Sequence, residues 1–389
     1  MAITGARSPL SAAAGARISL PRELVVLSHL RWPSGWQRPQ ELISRLARGR
    51  HVWFVEEPLA VEAHSRPRVR TERDGSVVRV WLEVPGPARH VGFCDPAAGD
   101  YPALLRELVG PYEDRAAWLY TPSALPFVDA LEPRLVVYDV LDDPAAGKGA
   151  PPELALCHRR LLGNADLVLT GSRSVQRSVV RRRPEAHCVS SGVDTAHYRR
   201  AIRLRSPEGR RVAGYAGVID QRLDLDLIAE LAAALADWEI RMVGPVAGID
   251  RRSLPRSANM TYTGQVRYAD LPAVMAGFDV ALMPFAHKAT TPPISPTMAL
   301  EYLAAGLPVV STRVPDVVDM YSDVVELEDD GRSFAAACRR AVDHCPVTLA
   351  ARAQPLLKWH QWDTITERIA ELVAGAAVAK GTVTTGRKP

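Results

Sequence analysis

Cysteine is scarce: five residues in 389, Cys94, Cys157, Cys188, Cys338 and Cys345, with no Cys-x-x-Cys pair among them. An odd, scattered set excludes a disulfide framework and a zinc ribbon, and fits a reducing cytoplasm. Aromatics are also few, at 6%. No apolar window approaches the roughly 20 residues of a membrane-spanning helix. Residues 1–20 are Ala-, Gly-, Ser- and Arg-rich and lack the apolar centre of a signal peptide. They read as a disordered tail, and residues 376–389 read as a second flexible one. No internal repeat or low-complexity domain stands out. A cytoplasmic protein is expected.

What is present is the composition of a soluble globular protein, 47% apolar and 24% charged. The formal charge of +4 is mild, and lysines are few beside the arginines. Arg181-Arg182-Arg183 and the group Arg199, Arg200, Arg203 and Arg205 read as solvated basic faces. They also suit weak peripheral contact with anionic lipid at the inner membrane face, or with a charged acceptor. No nucleic-acid partner is expected.

The length suits two domains. Strand-like runs at Leu24–Leu30, His51–Pro58, Val77–Val84, Trp118–Tyr120, Leu135–Val140 and Leu167–Thr170 alternate with helical patterns. This predicts a parallel sheet with crossover helices. The pattern breaks at 193–211, and a second series follows from Val212–Ile219 through Ile240–Gly244, Met260–Thr263 and Asp279–Pro284. The expected layout is two doubly wound, Rossmann-like domains at 21–198 and 199–355, with a final helix at 356–375. Ligands of such sheets bind beyond the carboxyl ends of the strands, so the cleft between the domains is the expected site.

Three segments carry candidate chemistry. Ser295 to Val310 reads as a helix followed by a buried strand, with Ser295 as N-cap, Pro296 at the first helical position, and Gly306 and Pro308 as the stop. Its start offers unpaired N–H groups and a positive dipole end beside the Ser295 and Thr297 hydroxyls, a seat for phosphate. One turn on, Glu301 is spaced to accept hydrogen bonds from a ribose or sugar diol. An early loop carries His29, Trp36, Gln37 and Arg38, placed to meet an acceptor. Asp139 and Asp142 form an aspartate cluster at the end of a first-domain strand, suited to a catalytic role in proton transfer or to holding sugar hydroxyls. They suit helix or turn capping equally.

Taken in order, these pieces resemble the GT-B glycosyltransferases, and within them glycosyltransferase family 4. The likeness runs from about Leu24 to Val373. It is carried by Ala165–Ser172 with His187–Asp194, by Gly214-Tyr215-Ala216-Gly217, by Tyr262–Val266 with Asp270-Leu271-Pro272 and Phe278-Asp279-Val280, and by Met298–Val310. Trp359-His360-Gln361-Trp362 and the amphipathic Ile365–Val373 resemble the last helix, which in that fold crosses back onto the first domain. The resemblance implies a retaining transfer from a nucleotide sugar, with UDP the expected nucleotide, to a small-molecule, glycan or lipid-linked hydroxyl acceptor. It implies no required cofactor or metal, because such enzymes generally hold the diphosphate with protein groups. Donor binding then falls to Gly217, Arg222, Gly244, Pro245, Ser295, Pro296, Thr297 and Glu301.

Two departures stand out. Val218 and Leu223 occupy the places where the family usually carries a phosphate-binding Arg and Lys, which makes Arg222 the candidate substitute. Pro293 falls where the family has a first glutamate. The alternatives to a transferase are a non-catalytic nucleotide- or partner-binding protein and a sugar-nucleotide epimerase on the same fold.

Overall fold

The computed structural model describes residues 20–62, 65–142, 152–206, 209–287, 296–343 and 345–385. Its first sheet has nine strands: β1 Glu23–Ser28, β2 His51–Glu56, β3 Leu59–Val61, β4 Arg68–Asp74, β5 Val77–Pro85, β6 Arg115–Leu119, β7 Leu135–Val140, β8 Leu167–Thr170 and β9 His187–Cys188. Their order is β3-β5-β2-β1-β6-β7-β8-β9, all parallel, with β4 added antiparallel to β5. The strands β1, β6 and β7 lie in the middle and are buried at every residue. That explains their continuous apolar reading in the sequence.

The second sheet has six strands: β10 Val212–Ala216, β11 Glu239–Val243, β12 Met260–Gly264, β13 Val280–Met283, β14 Val309–Ser311 and β15 Glu326–Leu327. All pair parallel, in the order β12-β11-β10-β13-β14-β15. The strand order reverses between β1 and β6 and between β10 and β13, which gives each sheet a switch point at its centre, the position at which doubly wound folds open a crevice. A core cluster fills the second unit, and two clusters fill the faces of the first sheet.

The chain crosses between the sheets twice, side by side. Val193 pairs with Gln361 in an isolated parallel bridge, and the Val193 N–H donates to the His360 carbonyl at 2.7 Å. A Cβ on Gly192 would lie 2.8 Å from the Trp362 ring and 2.9 Å from the His360 oxygen, so only glycine lets the crossings lie this close. The last helix, Trp362–Thr385, returns to the first sheet and buries Trp362, Ile365, Ile369 and Val373 against Leu24, Val26 and Leu169. A third tie joins the helices Arg173–Val179 and Pro315–Tyr321. The Asp316 carboxylate, 1% exposed, accepts from the Ser174 N–H at 3.0 Å, the Ser174 hydroxyl at 2.7 Å and Arg177 at 3.1 Å.

Gly244 shows what holds the upper rim of the second sheet. Its φ is +141°, and a Cβ there would lie 1.9 Å from the Gly217 carbonyl oxygen. The two loops that follow β10 and β11 touch backbone to backbone, and the Gly217 N–H donates to the Val243 carbonyl at 2.9 Å. Gly244→Ala must therefore both strain the backbone, at about 1–3 kcal/mol, and push the loops apart. A clear fall in the thermal unfolding temperature is expected; a variant melting with the parent would refute this packing.

Candidate active site

The segment with the strongest sequence signal needs correction first. Its helix runs from Met298 to Ala304, later and shorter than expected, with Thr297 as N-cap and no side-chain cap bond. Pro296 precedes the helix instead of opening it, and its carbonyl accepts from the Ala299 N–H at 3.0 Å. Ser295 and the Pro293 departure lie outside the described residues. The stop is as expected: Gly306 has φ +71°, and β14 follows at once.

A cavity of about 290 Å³ opens between the two sheets and gathers seven of the expected residues: His29, Trp36, Gln37, Arg38, Asp142, Thr297 and Glu301. His29 and Asp142 follow β1 and β7, the two strands that flank β6, so the carboxyl ends of the central first-sheet strands supply one wall. Trp36 is half exposed there, and Gln37 closes a capping box with Gln40 at the start of the helix Arg38–Leu46. Thr297 and Glu301 come from the facing unit. Tyr198, Tyr268, Asp194 and Trp362 also line the cavity, and the sequence reading missed them as site residues. Asp194, Tyr198 and Trp362 lie at the two crossings, where Asp194 and Trp362 stand inside segments that carry the family likeness, while Tyr268 follows β12 in the second unit.

Glu301 is the most perturbed acid in the cleft. Burial pushes its pKa up to about 7, against the hydrogen bond it accepts from the Tyr198 hydroxyl. Tyr198 is itself pushed well above its ordinary value by burial and by the nearby Glu301. On the opposite wall, crowding by protein atoms lowers the His29 pKa although the residue keeps an exposed edge. The Asp142 charge and a hydrogen bond to the Tyr120 backbone oppose that shift. The imidazole is thus mainly neutral at pH 7, one nitrogen a donor and the other an acceptor.

Asp139 and Arg38 require the second correction. The Asp139 carboxylate is 0% exposed and takes a two-pronged bond from Arg38, Nε at 3.1 Å and Nη2 at 3.1 Å. The remaining arginine nitrogen donates to the Val189 carbonyl at 2.7 Å. Burial works against the Arg38 charge, yet Asp139 outweighs it and holds the pKa above its ordinary value. Both Asp139 oxygens are engaged by the guanidinium, and the carboxylate has no exposed surface to offer a substrate. The pair ties β7 to the start of the helix Arg38–Leu46 and so positions Asp142 and Gln37. The structure thus places Asp139 behind the cleft wall and not on it, while Arg38 lines the cleft with its guanidinium committed to Asp139 and Val189.

The donor candidates separate into three places. Gly244 and Pro245 line a second cavity of about 800 Å³ beyond the carboxyl ends of β11 and β12, with Val246, Tyr262 and Gln265. Gly217 contributes close packing: a Cβ there would lie 2.7 Å from the Met298 methyl and 2.7 Å from the Tyr215 hydroxyl. Arg222 lies in neither cavity wall, because Asp220 holds it at 2.7–3.0 Å through two nitrogens. The Leu223 position is buried and bridged to Phe285, which leaves no room there for a charged substitute. Among the described residues no group of three or more His, Cys, Asp or Glu could hold a metal, and no helix is long and apolar enough to cross a membrane.

Two facing parallel sheets, a cleft at their carboxyl ends and a C-terminal helix that returns to the first unit define the GT-B class. Solved structures share this fold. Sucrose-phosphate synthase from Thermosynechococcus elongatus superposes with a TM-score of 0.70 at 15% identity, over 92% of this chain and 100% of that one. HepE of Anabaena, in complex with UDP and glucose, gives 0.67 at 16% identity, over 90% and 99%. Residues 210–344, which hold all six strands of the second sheet, match the model of the family "Glycosyl transferases group 1". A teichuronic acid biosynthesis glycosyltransferase, TuaH of Bacillus subtilis, is 28% identical over 200 residues, 47% of this chain and 50% of that one. A GDP-mannose-dependent alpha-mannosyltransferase of Mycolicibacterium smegmatis is 29% identical over 197 residues, 48% and 50%. The chain matches about half the length of each of these curated relatives.

Proposed function

We propose that this protein is a glycosyltransferase that moves a sugar from a nucleoside-diphosphate sugar, a UDP-sugar first, to a hydroxyl acceptor. Retention at the anomeric carbon and independence from metal belong to the same proposal. The observation that carries it is the cleft itself, where Glu301 and Thr297 of one unit confront His29 and Asp142 of the other across a single cavity. The relatives named as glycosyltransferases support it. The acceptor is a small molecule, a glycan or a lipid-linked sugar.

In this reading the nucleoside enters the larger cavity beside Gly244 and Pro245, and the ribose diol donates to the Glu301 carboxylate. The diphosphate lies near Thr297. A helix terminus contributes about 0.3–1 kcal/mol at an exposed site and up to roughly 2 when partly buried, which is too little for a leaving dianion. Arg222 must then exchange Asp220 for phosphate oxygens as the units close, a charge-assisted and bidentate grip. On the acceptor side, the neutral imidazole of His29 accepts a hydrogen bond from the attacking hydroxyl, and Asp142 steadies any charge that develops on the ring. Closure removes water and strengthens each of these contacts.

Incubation with UDP-, GDP- and dTDP-sugars in the presence of a chelator tests the proposal. Release of one nucleoside diphosphate, faster when a hydroxyl acceptor is added, is the expected result. Binding without turnover under every condition would favour the non-catalytic reading, to which the Asp220-held Arg222 lends weight.

A further inference from the structure

We infer that the segment Arg199–Leu204, at the back of the second unit, docks on an anionic lipid bilayer. The short helix Arg200–Leu204 buries Ala201 completely, yet leaves Ile202 and Leu204 about half exposed, at 52% and 53%. Arg199, Arg200 and Arg203 are exposed around them and form no ion pair among the described residues. What sets these three apart is the company of Ile202 and Leu204, exposed large aliphatics on the same short segment. Arg205 is turned inward. It donates to the Ala305 and Gly306 carbonyls at 3.2 and 3.3 Å and pins the segment to the end of the helix Met298–Ala304.

The outward face therefore carries three cations and two aliphatic tips on a fixed support. Val347, 76% exposed, follows Pro346, which shares a cavity wall with Arg205 and Gly306. A soluble polyanion would match the arginines and leave the aliphatics in water. A bilayer with acidic headgroups satisfies both, since guanidinium groups pair with phosphates at the depth where short aliphatic side chains reach the acyl boundary. Tyr198, in the helix just before this segment, bonds Glu301 in the cleft. Docking at the far end of the helix Met298–Ala304 leaves the cleft about 10 Å away, beside the membrane and unobstructed.

Co-sedimentation with phosphatidylcholine vesicles, with and without phosphatidylglycerol, tests this directly. The full chain should sediment only with the phosphatidylglycerol vesicles, and less as salt is raised. Each removed arginine should lower partitioning about fivefold, and Arg199→Gln, Arg200→Gln and Arg203→Gln together about a hundredfold. Ile202→Ser with Leu204→Ser should weaken it further at high salt, where the charges are screened. Unchanged thermal unfolding of the variants shows that the fold survives. Three results would overturn the inference: no sedimentation with either vesicle, equal sedimentation of the triple variant, or capture by soluble polyphosphate that matches vesicle binding and ignores the Ile202 and Leu204 changes.

Discussion

Glu301→Gln is expected to weaken nucleotide-sugar binding about 10- to 100-fold, the loss that follows from hydrogen bonds to a charged acceptor worth roughly 1.5–3 kcal/mol. The same substitution should abolish a pH dependence. The parent Glu301 has its pKa raised to about 7 by burial, so near neutrality a large share of the free protein holds a proton there. A ribose diol donates to the ionised carboxylate and not to the acid, so binding must expel that proton. Donor affinity of the parent should rise as pH increases through about 7 and level off above it. Below that point it should fall by about tenfold per pH unit. Glutamine has no proton to lose, and its affinity should be flat over the same range. Calorimetry in buffers of different ionisation enthalpy reads the released proton independently of affinity. A parent curve as flat as the Glu301→Gln curve would show that the carboxylate does not meet the ligand.

The same raised pKa has a stability consequence of opposite sign. The folded chain holds the Glu301 proton more tightly than the unfolded chain, so this group's contribution to stability is complete below the unfolded carboxyl value. It is lost as pH climbs to about 7. Ligand binding and folding thus pull the carboxyl in opposite directions, and a bound nucleotide should flatten the stability profile.

Asp139→Ala should destabilise the first unit by about 3–5 kcal/mol. It leaves the Arg38 guanidinium charged, buried and matched only by the Val189 carbonyl. Replacing both members with apolar residues of similar size, Asp139→Leu with Arg38→Met, should recover most of that stability, because neither residue then carries an unpaired charge. If the pair only positions Asp142 and Gln37, the double variant should fold well and still transfer poorly, with kcat reduced more than donor affinity. Denaturant unfolding followed through Trp118, which is buried in the same unit, separates the two effects. A single variant as stable as the parent would mean that the ion pair does not carry the load its geometry implies.

The central strands were legible because burial on both faces demands unbroken apolar runs: Leu135–Val140 and Leu167–Thr170 appear in the structure with the same limits. β4 was invisible for the converse reason. Arg68–Asp74 is almost wholly exposed and highly charged, an antiparallel edge whose partner is set by β5 and not by its own pattern. The short β3, β9 and β15 carry too few residues for any periodicity.

The site was legible as a set of residues but not as a set of roles. Strand-end loops announced His29, Trp36, Gln37 and Asp142, and the cleft gathers them. Nothing in the local sequence distinguishes Asp139 from Asp142, though three residues separate them. Asp139 lies on β7 itself and points into the core toward a residue 101 positions away, while Asp142 lies past the strand's end in the cleft. The pairing of Arg222 with Asp220 two residues earlier, and of Glu301 with Tyr198 across the crossing, likewise depends on side-chain directions that spacing does not encode.

Titration calorimetry of nucleoside-diphosphate sugars into the parent chain and the Glu301→Gln variant tests the nucleotide-sugar cleft most directly. One nucleotide sugar should bind the parent at a single site, be displaced by its own nucleoside diphosphate, and bind the variant at least about tenfold more weakly. No binding by any UDP-, GDP- or dTDP-sugar, or equal affinity in parent and variant, would contradict it.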